Sequence, residues 1–199
     1  MFMSSWNQIW FRAINDLGKE YTYLNPIFIF LAEYMVYVFA FCLVVIWFSR
    51  REKNRMMVIQ AGFAFIVAEI LGKVAGLLHS NSQPFAELQH VNQLIEKAVD
   101  NSFPSDHTIL FFSICFTFWL VQRRSGLIWM LLAISVAISR IWVGVHYPFD
   151  VLAGAAIGVI SAYIAYLVVP RLHFIRKTLA IYERVEEKII PTKHHSRNL

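Results

Sequence analysis

Residues 26–48 read PIFIFLAEYMVYVFAFCLVVIWF, an unbroken apolar run whose one charged side chain is Glu33. A helix of that length, rising 1.5 Å per residue, covers a hydrocarbon core of about 30 Å. Pro26 suits its first turn, where the missing N–H costs nothing, and the charged run Ser49–Arg55 ends it. Outward from this stretch, four more runs of about twenty residues follow: Met56–Leu78, Phe103–Val121, Gly126–Val145 and Pro148–Val169. The pattern predicts an all-α, polytopic transmembrane bundle of about five spans.

Composition agrees. The chain is 58% hydrophobic and only 16% charged, with mean hydropathy +0.53. A soluble domain has roughly 45–50% apolar and about 25% charged residues. A net charge of +5 and a pI near 9.3 raise nucleic acid as a partner. The basic residues instead sit in short clusters between apolar runs, which points to a lipid bilayer. Cys42 and Cys115 lie inside apolar runs with no ligand spacing and read as small hydrophobes.

The chain reads as a single membrane-embedded domain over 1–199, with three parts. Residues 1–24 carry Trp6, Ile9, Trp10, Ile14 and Leu17 at helical spacing and predict an amphipathic helix at the membrane interface, with no cleavable signal. Residues 26–169 form the transmembrane core. Residues 171–199 form a basic, amphipathic tail with a frayed end. The polar segment 79–102 is a loop; Phe85, Leu88, Val91, Leu94 and Ile95 within it suggest an amphipathic lid. Basic residues crowd the turn after span one (Arg50, Arg51, Lys53, Arg55), the turn after span three (Arg123, Arg124) and the tail (Arg171 to Arg197). Only Arg12, Lys19 and Lys97 lie on the other side, so the tail is expected in the cytoplasm and the 79–102 loop outside the cell membrane.

Ionisable residues inside spans are expensive and usually face a cavity or a partner. The alternating spans bring Lys73 and Glu69 (span two), Asp106 and His107 (span three), and Arg140 and His146 (span four) to the outer end of one bundle. In Asn101-Ser102-Phe103-Pro104-Ser105-Asp106-His107, Asn101 or Ser102 can cap a helix whose first turn holds Pro104. The free N–H groups of that turn then face an anion, beside the Ser105 hydroxyl and the His107 imidazole. In Ser139–Asp150, Pro148 ends span four near His146 and opens a new helix. Asp150, in the first turn of that helix, can hold Nδ1 of His146 and leave Nε2 free as a nucleophile. Arg140, about two turns back, offers a fork suited to phosphate oxygens. Taken singly, Asp150 also suits a dipole-compensating acid and Arg140 a snorkelling side chain.

Pro-Ser-Asp-His at 104–107 and Ser-Arg-x5-His-x3-Asp at 139–150 resemble the second and third signature motifs of the phosphatidic acid phosphatase type 2 superfamily. Asp106, where the motif usually has Gly, resembles the bacterial undecaprenyl-diphosphatases of the bacitracin-resistance type, and that likeness runs through most of the chain. The resemblance implies that His146 attacks phosphorus and is phosphorylated, that Asp150 orients it, and that His107 protonates the leaving oxygen and then assists water. It implies phosphoryl-oxygen binding by Ser105 and Arg140, with Asp106 beside them, and no metal or other cofactor. The first motif, Lys-x6-Arg-Pro, is reduced to Gln83-Pro84, with the nearest lysine, Lys73, a turn too early; Lys73 and Gln83 are its candidates for phosphate binding. Glu69 is expected to pair with Lys73, and Glu33 with a buried cation.

The expected substrate is a polyprenyl diphosphate lipid. The same machinery on phosphatidylglycerol phosphate or phosphatidate is the second reading, and a small anion transporter or channel subunit using Arg140 and Lys73 is the third.

Overall fold

The computed structural model describes residues 2–190. The expected frayed end, with Lys193 and Arg197, lies outside them. The helices in chain order are α1 (Phe2–Asn15), α2 (Leu17–Glu20), α3 (Asn25–Ile29), α4 (Met35–Phe48), α5 (Glu52–Leu78), α6 (Pro84–Glu87), α7 (Asp106–Val121), α8 (Arg123–Trp142), α9 (Pro148–Val168) and α10 (His173–Ile189). Among the described residues there is no strand. A 3₁₀ turn over Thr22–Leu24 and a π-helical turn over Phe30–Tyr34 join α3 and α4 into one continuous stretch, Thr22–Phe48.

Four stretches are long and apolar enough to cross a bilayer: Thr22–Phe48, Glu52–Leu78, Arg123–Trp142 and Pro148–Arg171. The third expected span is shorter than the sequence suggested, beginning at Asp106 and not at Phe103. Its position explains why it can be short. α7 stands between α5, α8 and α9, with Phe111, Cys115 and Phe118 fully buried. Wrapped by protein, it has little lipid to face. Its N-terminal end is preceded by non-helical chain, and Ser102, Pro104 and Ser105 in that segment are buried, where irregular backbone is tolerated at membrane depth. α9 meets this segment closely: a Cβ on Gly154 would lie 2.9 Å from the Ser105 carbonyl oxygen.

The basic segments gather at one end of the bundle. Gln122 donates to Asn54 across 3.1 Å, joining the turn before α5 to the turn before α8. Arg55 is almost fully buried there, paired with Glu183 and Glu186 of α10 and lying over the Tyr182 ring. Although the sequence groups it with the loop charges, its guanidinium is committed to the tail helix.

The opposite end is built by the 79–105 segment and α1. The N-terminal helix does more than lie flat. Asn15, fully buried, donates through Nδ2 to the carbonyls of Trp142 (2.8 Å) and Asn92 (3.0 Å) and accepts from the Asn92 N–H (2.9 Å). Arg12 and Lys19 both donate to the His90 carbonyl. The outer face, with Trp6, Ile9 and Trp10, stays exposed and suits a headgroup region. The expected lid is therefore a stitched plug. Ile95 is buried with Trp142, Val143 and Val145, while Leu88 and Val91 pack beside Phe11 and Tyr147. Only Pro84–Glu87 of it is helical.

Candidate active site

The turn between α8 and α9 sets the site. Sequence reading carries α8 to about His146, but the helix ends at Trp142. Gly144, at φ +86°, reverses the chain; its N–H donates to the Ile141 carbonyl (3.1 Å) and the Val145 N–H to the Arg140 carbonyl (3.2 Å). This is a Schellman cap, which favours glycine at the left-handed position. A Cβ on Gly144 would also lie 2.8 Å from the Asn92 carbonyl oxygen. The reversal folds His146 back, so its N–H also reaches the Arg140 carbonyl at 3.3 Å. The two residues are neighbours through the cap, not two turns apart along one helix.

His146 is 3% exposed. Its Nδ1 lies 2.9 Å from the Ser102 carbonyl oxygen and 3.8 Å from Asp150 Oδ2. The shorter contact is the Ser102 carbonyl, with the expected Asp150 carboxylate in ion-pair range behind it. A carbonyl only accepts, so Nδ1 carries the proton and the lone pair stands on Nε2. Asp150 acts one step away. Its Oδ2 accepts from the Ser102 hydroxyl (2.7 Å) and the Tyr147 N–H (2.9 Å), and its Oδ1 from Asn81 Nδ2 (3.4 Å). The carboxylate therefore holds the residue that holds the histidine. Burial pushes the His146 imidazole below its ordinary 6.5, against the opposing pull of Asp150; Arg140 and Lys97 add to the lowering.

Arg140 is also buried. Its Nη1 donates to the Ala32 carbonyl across 2.7 Å, within the π-helical turn, where a widened ladder gives access to a side-chain donor. Its Nε is buried without a protein partner, a donor held ready for an anion. Glu33 supplies opposing charge to Arg140, the buried cation the sequence left unassigned. His107, second residue of α7 and half-buried, lies in the fields of Arg140, His146 and Lys97.

Ser105 is the N-cap of α7. The expected caps are used otherwise. Asn101 Nδ2 donates to the Gly76 carbonyl, and Ser102 serves Asp150 and His146. Pro104 precedes the helix. The Ser105 hydroxyl accepts from Thr108 (3.0 Å), and its N–H donates to the Asp150 carbonyl (3.1 Å). Asp106 is exposed at the mouth of the same helix.

The two first-motif candidates do not join this group. Lys73 is exposed and is not among the charges acting on His107, Arg140 or His146. It and Glu69 feel one another without closing to an ion pair. Gln83 is fully buried, and its amide is spent on Asp100 and on the Ala98 carbonyl, leaving nothing for phosphate. Sequence reading takes Ser102 only as a possible helix cap and Asn81 only as a neutral donor toward phosphate, and it misses Lys97. Lys97 is only a surface charge in the sequence, yet its ammonium is three-quarters covered, and burial lowers its pKa against the pull of Asp100.

Beside the site, a cavity of about 480 Å³ opens between α1 and the start of α9, bordered by Trp10, Asn81, Glu87, Tyr147 and Phe149. It touches the group through Asn81 and not through either histidine. Tyr147 donates to Glu87 across 3.0 Å, and burial raises its phenol so that it stays a donor. Among the described residues no three His, Cys, Asp or Glu side chains form a metal-ligand set.

Comparison with known proteins places this geometry in context. The family model described as PAP2 superfamily matches residues 57–174. The chain is 59% identical over 188 residues to the Bacillus licheniformis protein named bacitracin transport permease protein BcrC, covering 94% of this chain and 93% of that one. It is 31% identical over 180 residues to undecaprenyl-diphosphatase BcrC of Bacillus subtilis (strain 168), covering 90% and 93%. Among solved structures, Aquifex aeolicus LpxE superposes with a TM-score of 0.68 at 28% identity, over 79% of this chain and 93% of that one.

Proposed function

The chain belongs to the PAP2 superfamily, and from that premise we propose that it hydrolyses undecaprenyl diphosphate to undecaprenyl phosphate and inorganic phosphate, through a phosphohistidine on His146. It is a multi-pass membrane enzyme, and the reaction returns a cell-wall lipid carrier to its monophosphate form and gives bacitracin resistance. The observation that carries the mechanism is His146 itself, a buried imidazole with Nδ1 tied to Ser102 beside the unpartnered Nε of Arg140.

The Nε2 lone pair attacks the terminal phosphorus, and the bond from that phosphorus to the bridging oxygen breaks. The electron pair stays on the bridging oxygen, now a terminal oxygen of the lipid monophosphate, which His107 protonates. Arg140 and the N-terminal end of α7, at Ser105, neutralise charge on the equatorial oxygens, the main source of catalysis in such transfers. His107, having given its proton, takes one from water as that water attacks the phosphohistidine. Inorganic phosphate leaves with the oxygen from water, and His146 is restored. The clustering of basic residues at the other end favours a site on the outer face of the cell membrane.

Phosphate release by purified protein tests the reading. Undecaprenyl diphosphate is expected to outpace phosphatidylglycerol phosphate and phosphatidate; a reversed order identifies another lipid as substrate. The acid limb of kcat/KM adds a second check. His146 attacks when neutral, and its pKa is held below 6.5, so the rate persists as pH falls through 6.5 and declines only below it. An acid limb centred above 6.5 contradicts the buried nucleophile. The name of the Bacillus licheniformis relative favours transport as the second reading. That reading predicts that changing His146 leaves function intact.

A further inference from the structure

We propose that Lys97 binds the leaving phosphate of a diphosphate substrate, occupying in space the role that Gln83 leaves open in sequence; this rests on the hydrolase reading above. Gln83 stands where the first motif has an arginine, and it is uncharged and fully engaged. Its Nε2 donates to the Asp100 carboxylate and its Oε1 accepts from the Asp100 N–H at 3.2 Å. Asp100 in turn lies 3.7 Å from Lys97 Nζ. The motif position thus works through the loop: the glutamine fixes the aspartate, and the aspartate steers the lysine.

The other end of the same segment is fixed to the catalytic turn. Leu94 N–H donates to the Val143 carbonyl (3.1 Å), and Ile95 is buried against Trp142, Val143 and Val145. Lys97 follows two residues later, held between this anchor and the Gln83 clasp. Its side chain is 24% exposed, and its charge acts on both His107 and His146. The charged groups facing it are Asp100, Asp106 and Arg140. Burial and Arg140 work against the ammonium, while Asp100 and Asp106 hold it charged for an incoming anion. Arg140 is locked to the turn that carries His146 and therefore serves the phosphoryl group under attack. Lys97, on the loop, is left for the second phosphate. It transfers no proton; as the bridging bond breaks, its ammonium neutralises the charge gathering on the departing monophosphate.

The test uses the full chain, with Lys97→Gln and Lys97→Arg. Turnover of farnesyl diphosphate is measured beside competitive inhibition by pyrophosphate and by orthophosphate. Lys97→Gln is expected to lower kcat/KM by about 10²-fold, as loss of one charge-stabilising donor does. The same variant is expected to weaken pyrophosphate inhibition by at least about tenfold, while orthophosphate inhibition moves by less than about threefold. Lys97→Arg is expected to recover most of the loss. Equal weakening of both inhibitors, or no weakening of either, overturns the assignment. Wild-type protein that releases no phosphate from any lipid overturns the hydrolase reading instead.

Discussion

His146→Ala is expected to abolish phosphate release, lowering kcat by on the order of 10⁴-fold or more, since removal of a covalent nucleophile leaves only binding and electrostatics. The fold should survive. The α8–α9 reversal rests on Gly144 and on backbone bonds to Ile141 and Arg140, none of which uses the imidazole. The His146 N–H bond to the Arg140 carbonyl also remains in the alanine variant. Loss of the buried imidazole unpairs the Ser102 carbonyl and costs about 1–3 kcal/mol; a cooperative unfolding transition still above the assay temperature, together with lost turnover, isolates chemistry from stability. The same variant separates the two functional readings, because a transport path built on Arg140 has no need of a nucleophile. Retained activity in this variant defeats the hydrolase account.

Asp150→Asn gives the second largest effect, through a different route. The carboxylate accepts from Ser102, Tyr147 and Asn81, and Ser102 passes the restraint to His146. An amide presents one acceptor oxygen and one donor where the Ser102 hydroxyl, the Tyr147 N–H and the Asn81 amide all donate to the carboxylate, so Ser102 or Asn81 has to reverse its role or lose its bond. A loss in kcat of roughly 10²–10⁴-fold is expected, the range opened by disturbing the group that orients a catalytic histidine. Leaving a buried donor unpaired also costs about 1–3 kcal/mol of stability. The pH profile distinguishes misorientation from mere unfolding. Asp150 raises the His146 pKa against burial, so its neutralisation lowers that pKa further. The acid limb then moves to lower pH as the plateau falls; a limb moving to higher pH contradicts this arrangement.

The spans were legible because lipid leaves a run of apolar residues no alternative. The bundle end that holds the site was legible because Arg140, His107 and Asp106 are costly anywhere else. His146, Asp150 and Ser105 stand in short motifs whose backbone context, a helix start or a proline-limited turn, can be read locally. What could not be read depends on contacts distant in sequence. Ser102 meets His146 and Asp150 only after α7 and α9 pack together. Arg140 finds Ala32 only because a π-helical turn lies opposite it. The α8 cap depends on Gly144, whose left-handed conformation the Pro148 signal overshadows, so the helix, Arg123–Trp142, lies three residues earlier than the expected Gly126–Val145. The first motif misled most. Counting back from Gln83 falls on Gly76, and the nearest lysine, Lys73, is exposed in the structure, whereas Lys97 comes from a loop that no motif marks. Gln83 was legible as a departure from the motif, but its bond to Asp100 was not.

A covalent bond between His146 and phosphorus is the central step of the proposed hydrolysis. Rapid acid-free quenching of the purified enzyme with terminally ³²P-labelled undecaprenyl diphosphate, followed by peptide mapping, tests it most directly. Acid-labile, alkali-stable label is expected on the peptide bearing His146, forming and decaying more slowly in His107→Ala and absent from His146→Ala. Label on any other residue, or steady turnover in an enzyme whose His146 never carries phosphate, contradicts it.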